Sequence, residues 1–178
     1  MDKVFFIGDL HFWHHNIIKY CNRPFQDTED MTECLIKNWN STVGKNDIVY
    51  VVGDFALCGK QKLVETARRL NGRKRLILGN HDRASRKTYE EAGFERIYDC
   101  PIILDNLYLI SHIPLEGVCG PYVNIFAHIH TDSAYPDVSR NGFCVSAERI
   151  QYTPIDFEEI KKAVIEKCAE EVLNWLIE

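Results

Sequence analysis

The sequence predicts an α/β fold in which a mixed sheet, or a pair of sheets, is covered by helices on its outer faces. Three observations lead there. Strand-like and helix-like runs alternate through the first half of the chain, strand-like runs follow one another directly in the second half, and the helical runs are amphipathic.

Each element has its own signal. Residues 3–8 (KVFFIG) are a short apolar run closed by glycine, which reads as a strand. A short helix is expected near residues 16–21, with Asn16 as its candidate cap. In a second helix over residues 28–43, Met31, Leu35 and Trp39 recur at i, i+4 and i+8 and make one apolar stripe. Residues 47–53 (DIVYVVG) and 73–79 (RKRLILG) are the next strands, separated by an amphipathic run at 60–70 with Leu63, Ala67 and Leu70 on one face. Residues 85–93 read as a helix closed by Gly93. PIIL and LYLIS flank Asp105-Asn106 as a hairpin with a two-residue turn, and residues 123–127 and 142–147 are further strands. The last helix starts at Asp156, where Asp156 and Glu159 have N-cap and N3 spacing. Its stripe runs through Ile160, Val164, Cys168, Val172 and Leu176, widened by Leu173 and Trp175.

Totals narrow the classes. A chain of 178 residues fits one domain, 1–178, and can bury a sizeable core without staples. The net charge of −5 argues against broad, sequence-independent nucleic-acid binding, which depends on a positive field. The seven cysteines are odd in number and none are spaced as CxxC, so they read as buried, reduced thiols of a cytoplasmic protein. The N-terminal apolar run is too short for a signal peptide, and no stretch approaches the length of a membrane span.

The informative pattern is where polar residues fall. Asp9, Asp54, Asn80, His112 and His128 each follow an apolar strand directly. In open α/β sheets, ligands bind outside the carboxyl ends of strands, so these five side chains are expected to converge. His11 and His130 each lie two residues beyond one of them, and in extended backbone i and i+2 share a side. Each residue alone is more simply a turn residue or a surface histidine; the joint coincidence is not simply explained. Carboxylate, amide oxygen and imidazole suit Mn, Fe, Zn, Co or Mg, and seven donors exceed one tetrahedral zinc. They fit two ions that share a carboxylate, the arrangement used for phosphoryl-group hydrolysis.

Asp9-Leu10-His11, Gly53-Asp54, Gly79-Asn80-His81-Asp82, His112 and His128-Ile129-His130 resemble, in order, the motif set of the calcineurin-like metallophosphoesterases. The resemblance implies a four-layer αββα sandwich of two mixed β-sheets flanked by helices. It implies one metal held by Asp9, His11, Asp54 and His130, and another by Asp54, Asn80, His112 and His128, with Asp54 bridging. It makes His81 a catalytic residue that contacts the phosphoryl oxygen and assists the leaving group. The sequence departs from the pattern twice: Ala127 stands where glycine usually opens the last motif, and Leu57 stands where many members carry an aspartate that orients the catalytic histidine. Asp82 is a nearby group for that duty, and Gly79 would let the chain turn sharply beside the metals.

Around these motifs, Arg73, Lys74, Arg75, Arg83, Arg86 and Lys87 form a local basic concentration. It is either a solvated face or a steering surface for an anionic substrate, with Arg83 the first candidate. His14 is the second candidate for substrate binding; Phe12 and Trp13 could wall a ring, and Tyr122 lies on a loop near the mouth. The expected function is a phosphatase or phosphodiesterase with two divalent metal ions, manganese favoured, acting on a small anionic phosphoester by a metal-bridging hydroxide. Little chain remains for a cap, so the site should be open. The alternatives are a nuclease acting on nucleic-acid ends and a non-catalytic scaffold of the same fold; no membrane partner is expected.

Overall fold

The computed structural model describes the backbone of residues 2–177 and the side chains of residues 2–170. In chain order the elements are β1 (Val4–Ile7), α1 (His15–Tyr20), α2 (Thr28–Thr42), β2 (Ile48–Val52), α3 (Lys60–Arg68), β3 (Arg73–Ile77), α4 (Arg86–Glu91), β4 (Phe94–Tyr98), β5 (Ile102–Leu104), β6 (Tyr108–Ile110), β7 (Val123–Phe126), β8 (Val138–Ser139), β9 (Gly142–Cys144), a 3-10 helix (Ala147–Ile150), β10 (Ile155–Asp156) and α5 (Phe157–Ile177). They build two mixed sheets flanked by helices, in the orders β10-β1-β2-β3-β4 and β5-β6-β7-β9-β8. β1 to β4 are parallel with β10 antiparallel at the edge; in the other sheet β6, β7 and β9 are parallel between antiparallel β5 and β8.

The pleat divides the apolar side chains of the first sheet between two cores. Phe5, Ile7, Val49, Val51 and Leu76 face Met31, Leu35 and Trp39 of α2 and Leu63 and Ala67 of α3. Phe6, Tyr50, Val52 and Ile77 face Ile110, Val123, Ile125 and Phe143 of the second sheet, joined by Phe157, Ile160 and Val164 of α5. Both faces of β1 and β2 are therefore buried, which is why those strands read as unbroken apolar runs. Leu35 and Leu63 are almost wholly buried, so truncating either to alanine would cost about 2–5 kcal/mol. Trp39 is fully buried and satisfies its indole N–H on the Asn71 carbonyl at 2.9 Å.

Helix ends follow the side-chain chemistry. Asp27 caps α2 by accepting from the Asp30 N–H at 2.8 Å, and Ser85 caps α4. Asp156 takes the predicted place before α5 and accepts from the Glu158 N–H at 3.0 Å. The stripe positions Val172, Leu173, Trp175 and Leu176 lie outside the described side chains. At the hairpin, Asp105 and Asn106 both take positive φ and the Leu107 N–H closes on the Leu104 carbonyl at 3.1 Å, as the two-residue turn requires.

Several expectations are corrected. α1 begins one residue early, with His14 rather than Asn16 at its cap position. β4, β8 and β10 were not legible, and the strand expected over 142–147 stops at Cys144. The seven cysteines are all free thiols, but only Cys144 is buried, and Cys100 and Cys119 are exposed. No helix among the described residues is long and apolar enough to cross a membrane.

Candidate metal centre

The carboxyl ends of β1, β2, β3, β6 and β7 lie at one edge of the two facing sheets, and the loops leaving them bring Asp9, Asp54, Asn80, His112 and His128 together. Asp54 is at the middle. Its Oδ2 lies 3.4 Å from His11 Nε2 and 3.4 Å from His112 Nε2, and its Oδ1 accepts from the His81 N–H at 2.9 Å. On one side Asp9, His11 and His130 present donor atoms within 4.8 Å of one another. On the other, His112 Nε2 lies 2.9 Å from Asn80 Oδ1 and 3.2 Å from His128 Nδ1. His112 Nδ1 lies 3.0 Å from the Val52 carbonyl, which can only accept, so Nδ1 carries a proton, and in the neutral ring Nε2 is the nitrogen left with a lone pair. Nε2 thus faces an amide oxygen, a carboxylate and a second imidazole.

Lone pairs converging in this way need a cation. Asp9 Oδ1 and His11 Nε2 are buried with no hydrogen-bond partner, a costly state that a bound metal would relieve. The donor set, two carboxylates, one amide and four imidazoles, fits divalent ions of intermediate hardness. In the absence of a cation, protons share the site. Burial pushes His11 down to about 3 and Asp9 up to about 6, the latter opposed by the charges of His130 and His112. Burial also works against charge at Asp54, yet His112 and the His81 N–H hold it at about 2. His130 sits at about 10: burial opposes its charge, but hydrogen bonds with Cys21 and Glu148 and the Asp9 carboxylate outweigh it.

The way the pairs reach the site differs from the extended-backbone expectation. Asp9, His11, Asp54, His128 and His130 all have φ between +46° and +73°, in the left-handed region. His11 and His130 therefore swing inward on tight bends rather than on a pleat. Such backbone costs of order 1–3 kcal/mol per residue and gathers at functional sites. Glycines make room for the approach. Gly53 is itself left-handed (φ 80°), and a Cβ there would overlap the His112 ring. Gly79 has no such φ; it is needed because a Cβ would overlap Asp54 Oδ1, so its role is space rather than a turn. Ala127 fits because its methyl faces Gly8, whose missing Cβ would occupy the same place.

His81 lies beside the cluster. Its ring lies edge-on to His11 with centroids 5.4 Å apart and 6.2 Å from His14. Asp82 does not orient it: both carboxylate oxygens are spent on the Asp54, Phe55 and Gly79 N–H groups and the Tyr89 hydroxyl. Leu57 is exposed and lines, with His81, Arg83, Lys60 and Cys58, a cleft beside the cluster. A second cleft on the His128 side is lined by Ile113, Pro114, Leu115, Glu116, Asp132 and Tyr135. His14 touches the site directly, with Nδ1 3.2 Å from His11 Nδ1.

Other expectations around the site change. Phe12 is fully buried against Phe55, and Trp13 donates to Thr66 Oγ1 at 2.8 Å, so neither is a free wall for a ring. Tyr122 is exposed and lines neither cleft. Most of the basic concentration is occupied: Arg73 pairs with Glu95, Arg86 with Asp99, Lys74 is buried on the Leu70 carbonyl, and Arg75 bonds the Tyr50 hydroxyl. Arg83 is the member of that group that lines the cleft beside His81. Sequence reasoning missed Arg23 and Glu148, a buried ion pair at 2.7 Å behind His130.

Two mixed sheets flanked by helices, with candidate metal donors gathered at their common edge, define a protein of the αββα class. The chain belongs to the calcineurin-like phosphoesterase family, whose model matches residues 2–170. It is 36% identical over 174 residues to an uncharacterized protein of Methanocaldococcus jannaschii, covering 92% of each chain. It is 31% identical over 137 residues to the Gene 66 protein of Mycobacterium phage L5, covering 66% of each. Among solved structures it resembles a protein of unknown function from Aquifex aeolicus, with a TM-score of 0.69, 25% identity, and coverage of 91% of this chain and 99% of that one. It shares the fold of a nuclease from Pseudomonas putida, with a TM-score of 0.51, 20% identity, and coverage of 71% and 61%.

Proposed function

We propose that the protein is a two-metal phosphoesterase that hydrolyses a phosphomonoester or phosphodiester bond of a small anionic substrate, with manganese the favoured ion. The observation that carries this reading is Asp54 Oδ2, equidistant from His11 Nε2 and His112 Nε2 between two donor sets. Asp9, His11, Asp54 and His130 would hold one ion, and Asp54, Asn80, His112 and His128 the other. Two ions so held would supply Lewis acidity toward the phosphoryl oxygen and a nucleophile at neutral pH. His81, outside both sets and facing the first cleft, serves the leaving-group oxygen as a hydrogen-bond donor. With Leu57 in the same cleft and the His11 and His14 rings beside it, His81 is held through its backbone N–H, which donates to the Asp54 carboxylate; among the described residues no carboxylate hydrogen-bonds its ring.

The two clefts differ in character, which supports an asymmetric substrate. Lys60 and Arg83 suit the anionic side; Ile113, Leu115 and Tyr135 suit an apolar substituent, and Glu116 and Asp132 disfavour a second phosphate there. The nuclease alternative loses its main support, because the cations that suggested it are largely paired within the chain. The test is a hydrolysis screen of aryl monoesters, aryl diesters, cyclic nucleotides and single-stranded DNA, on protein reconstituted separately with Mn, Fe, Zn, Co and Mg. Metal-dependent turnover of a small ester that Asp54→Asn abolishes supports the reading. Protein that holds no Mn, Fe, Zn or Co under any reconstitution would support the scaffold, and preference for DNA the nuclease.

A further inference from the structure

The buried pair Arg23–Glu148 lies outside both donor sets and touches the first of them at several points. Glu148 Oε1 lies 3.0 Å from His130 Nδ1, 2.9 Å from Arg23 Nε and 2.7 Å from Arg23 Nη2. The same guanidinium donates to the Asp9 carbonyl at 2.6 Å and to the Leu10 carbonyl at 3.0 Å. The Arg23 side chain is wholly buried and that of Glu148 nearly so. Removing two charges from water costs several kcal/mol per ion, and a buried pair seldom repays this in stability. What the pair does have is geometry: one planar fork reaches the backbone that carries Asp9 and His11 and the carboxylate that faces His130.

We propose that Arg23 and Glu148 are positioning residues for the Asp9–His11–His130 metal site. The inference rests on the two-metal reading above. His130 Nδ1 donates a hydrogen bond to Glu148, 3.0 Å away and nearer than Asp9 Oδ2 at 3.9 Å, which would fix the tautomer, leave the Nε2 lone pair for the metal and make it a better donor. Arg23 holds Glu148 in place and, through the Asp9 and Leu10 carbonyls, keeps the left-handed bend of the first motif in register with His130. Asn80, His112 and His128 make no direct bond to this pair, and its one link toward them is the His128 N–H donating to Asp9 Oδ2 at 2.8 Å, so the effect falls on the first site. Cys21 also lies within 4.8 Å of His130 and Glu148 but is not a ligand in this scheme.

Two measurements test it. In the Zn-loaded wild-type protein, long-range proton–nitrogen correlation of the imidazoles should show His130 protonated at Nδ1 and metal-shifted at Nε2. A metal-shifted Nδ1 would overturn the proposal, as would a thiolate charge-transfer band in the Co-loaded protein that is lost in Cys21→Ser. Calorimetric titration of metal-free protein with Mn gives the second readout, independent of turnover. Because Glu148→Gln alone strands a buried guanidinium, the variant used is Arg23→Met with Glu148→Gln, which removes both charges. One of two Mn sites should weaken by about 10–100-fold while the other is unchanged. Equal weakening of both sites, as a merely structural loss would give, or weakening of neither, overturns the positioning role. Wild-type protein that binds no Mn, Zn or Co would instead overturn the phosphoesterase reading, and this proposal with it.

Discussion

Replacing Asp82 should strongly destabilise the metal-free protein. Its Oδ2 accepts from the Asp54 N–H at 2.7 Å and the Gly79 N–H at 2.9 Å; its Oδ1 accepts from the Phe55 N–H and the Tyr89 hydroxyl, both at 3.0 Å. One carboxylate thus ties the loop after β2 to the loop after β3. Burial lifts its pKa above the ordinary carboxylate value, against the pull of these N–H donors. In Asp82→Ala three backbone donors lose their acceptor. At about 1–3 kcal/mol for each stranded group, trimmed by water entering the gap, the cost is roughly 3–6 kcal/mol. That is a large part of a typical total stability of about 5–15 kcal/mol. Asp82→Asn keeps one acceptor oxygen and turns an amide NH2, itself a donor, toward the remaining donors, for about 2–4 kcal/mol. Tyr89→Phe removes only the hydroxyl and should cost about 0.5–1.5 kcal/mol. Urea unfolding of the metal-free proteins, compared at constant m, reads all three. If Asp82→Asn unfolds within about 0.5 kcal/mol of wild type, the clasp is not what holds these loops.

Asp54→Asn should lower occupancy of both metals, measured by elemental analysis after reconstitution; loss of one ion alone would contradict a shared ligand. His81→Ala should keep both metals and lose about 10²–10⁴ in turnover, and a loss of metal instead would move His81 into a donor set. Neutralising the cleft cation with Arg83→Gln should raise KM for a charged ester more than for a neutral-tailed aryl ester; equal changes would remove the steering role. Metal binding should also release protons. Without a cation His130 is held up at about 10 by its Cys21, Glu148 and Asp9 contacts, against the effect of burial, so at pH 7 it is protonated and must yield its Nε2 proton to a metal. Affinity for Mn should therefore rise with pH by about tenfold per unit for each proton displaced, His112, held up by Asp54 and Asp9 against the effect of burial, adding to His130, and calorimetry in buffers of different ionisation enthalpy should count the protons released.

Much of the site was legible because its signal is local. A parallel strand buried on both faces reads as an apolar run, and the residue after the run stands at the sheet edge whatever the rest of the chain does. Asp9, Asp54, Asn80, His112 and His128 were all visible in that way. What was missed depends on partners far away in sequence. Arg23 and Glu148 are 125 residues apart, and neither sits in a local pattern that sets it apart. The one available signal was that Glu148 directly follows the run read as a strand over residues 142–147; the strand itself ends four residues earlier, at Cys144. Asp82 was read as a group to orient His81 because the N–H groups and hydroxyl its oxygens accept from are reached only after β2 and β3 pair. β4 escaped notice because Glu95 and Arg96 interrupt it with exposed charges, and β8 and β10, at two residues each, are too short for any period.

The left-handed backbone at Asp9, His11, Asp54, His128 and His130 also limits which ligands the site could ever acquire. Asp, Asn, His and Gly accept that conformation most readily; β-branched residues do so only under strain. Exchange among carboxylate, amide and imidazole is therefore open to natural variation or design. Importing thiolates, to turn the centre toward softer metals, would set the new side chains on a backbone that does not favour them. Seen this way, the bends act as a filter on the alphabet of the site, keeping it hard enough for phosphate oxygen whatever drift occurs around it.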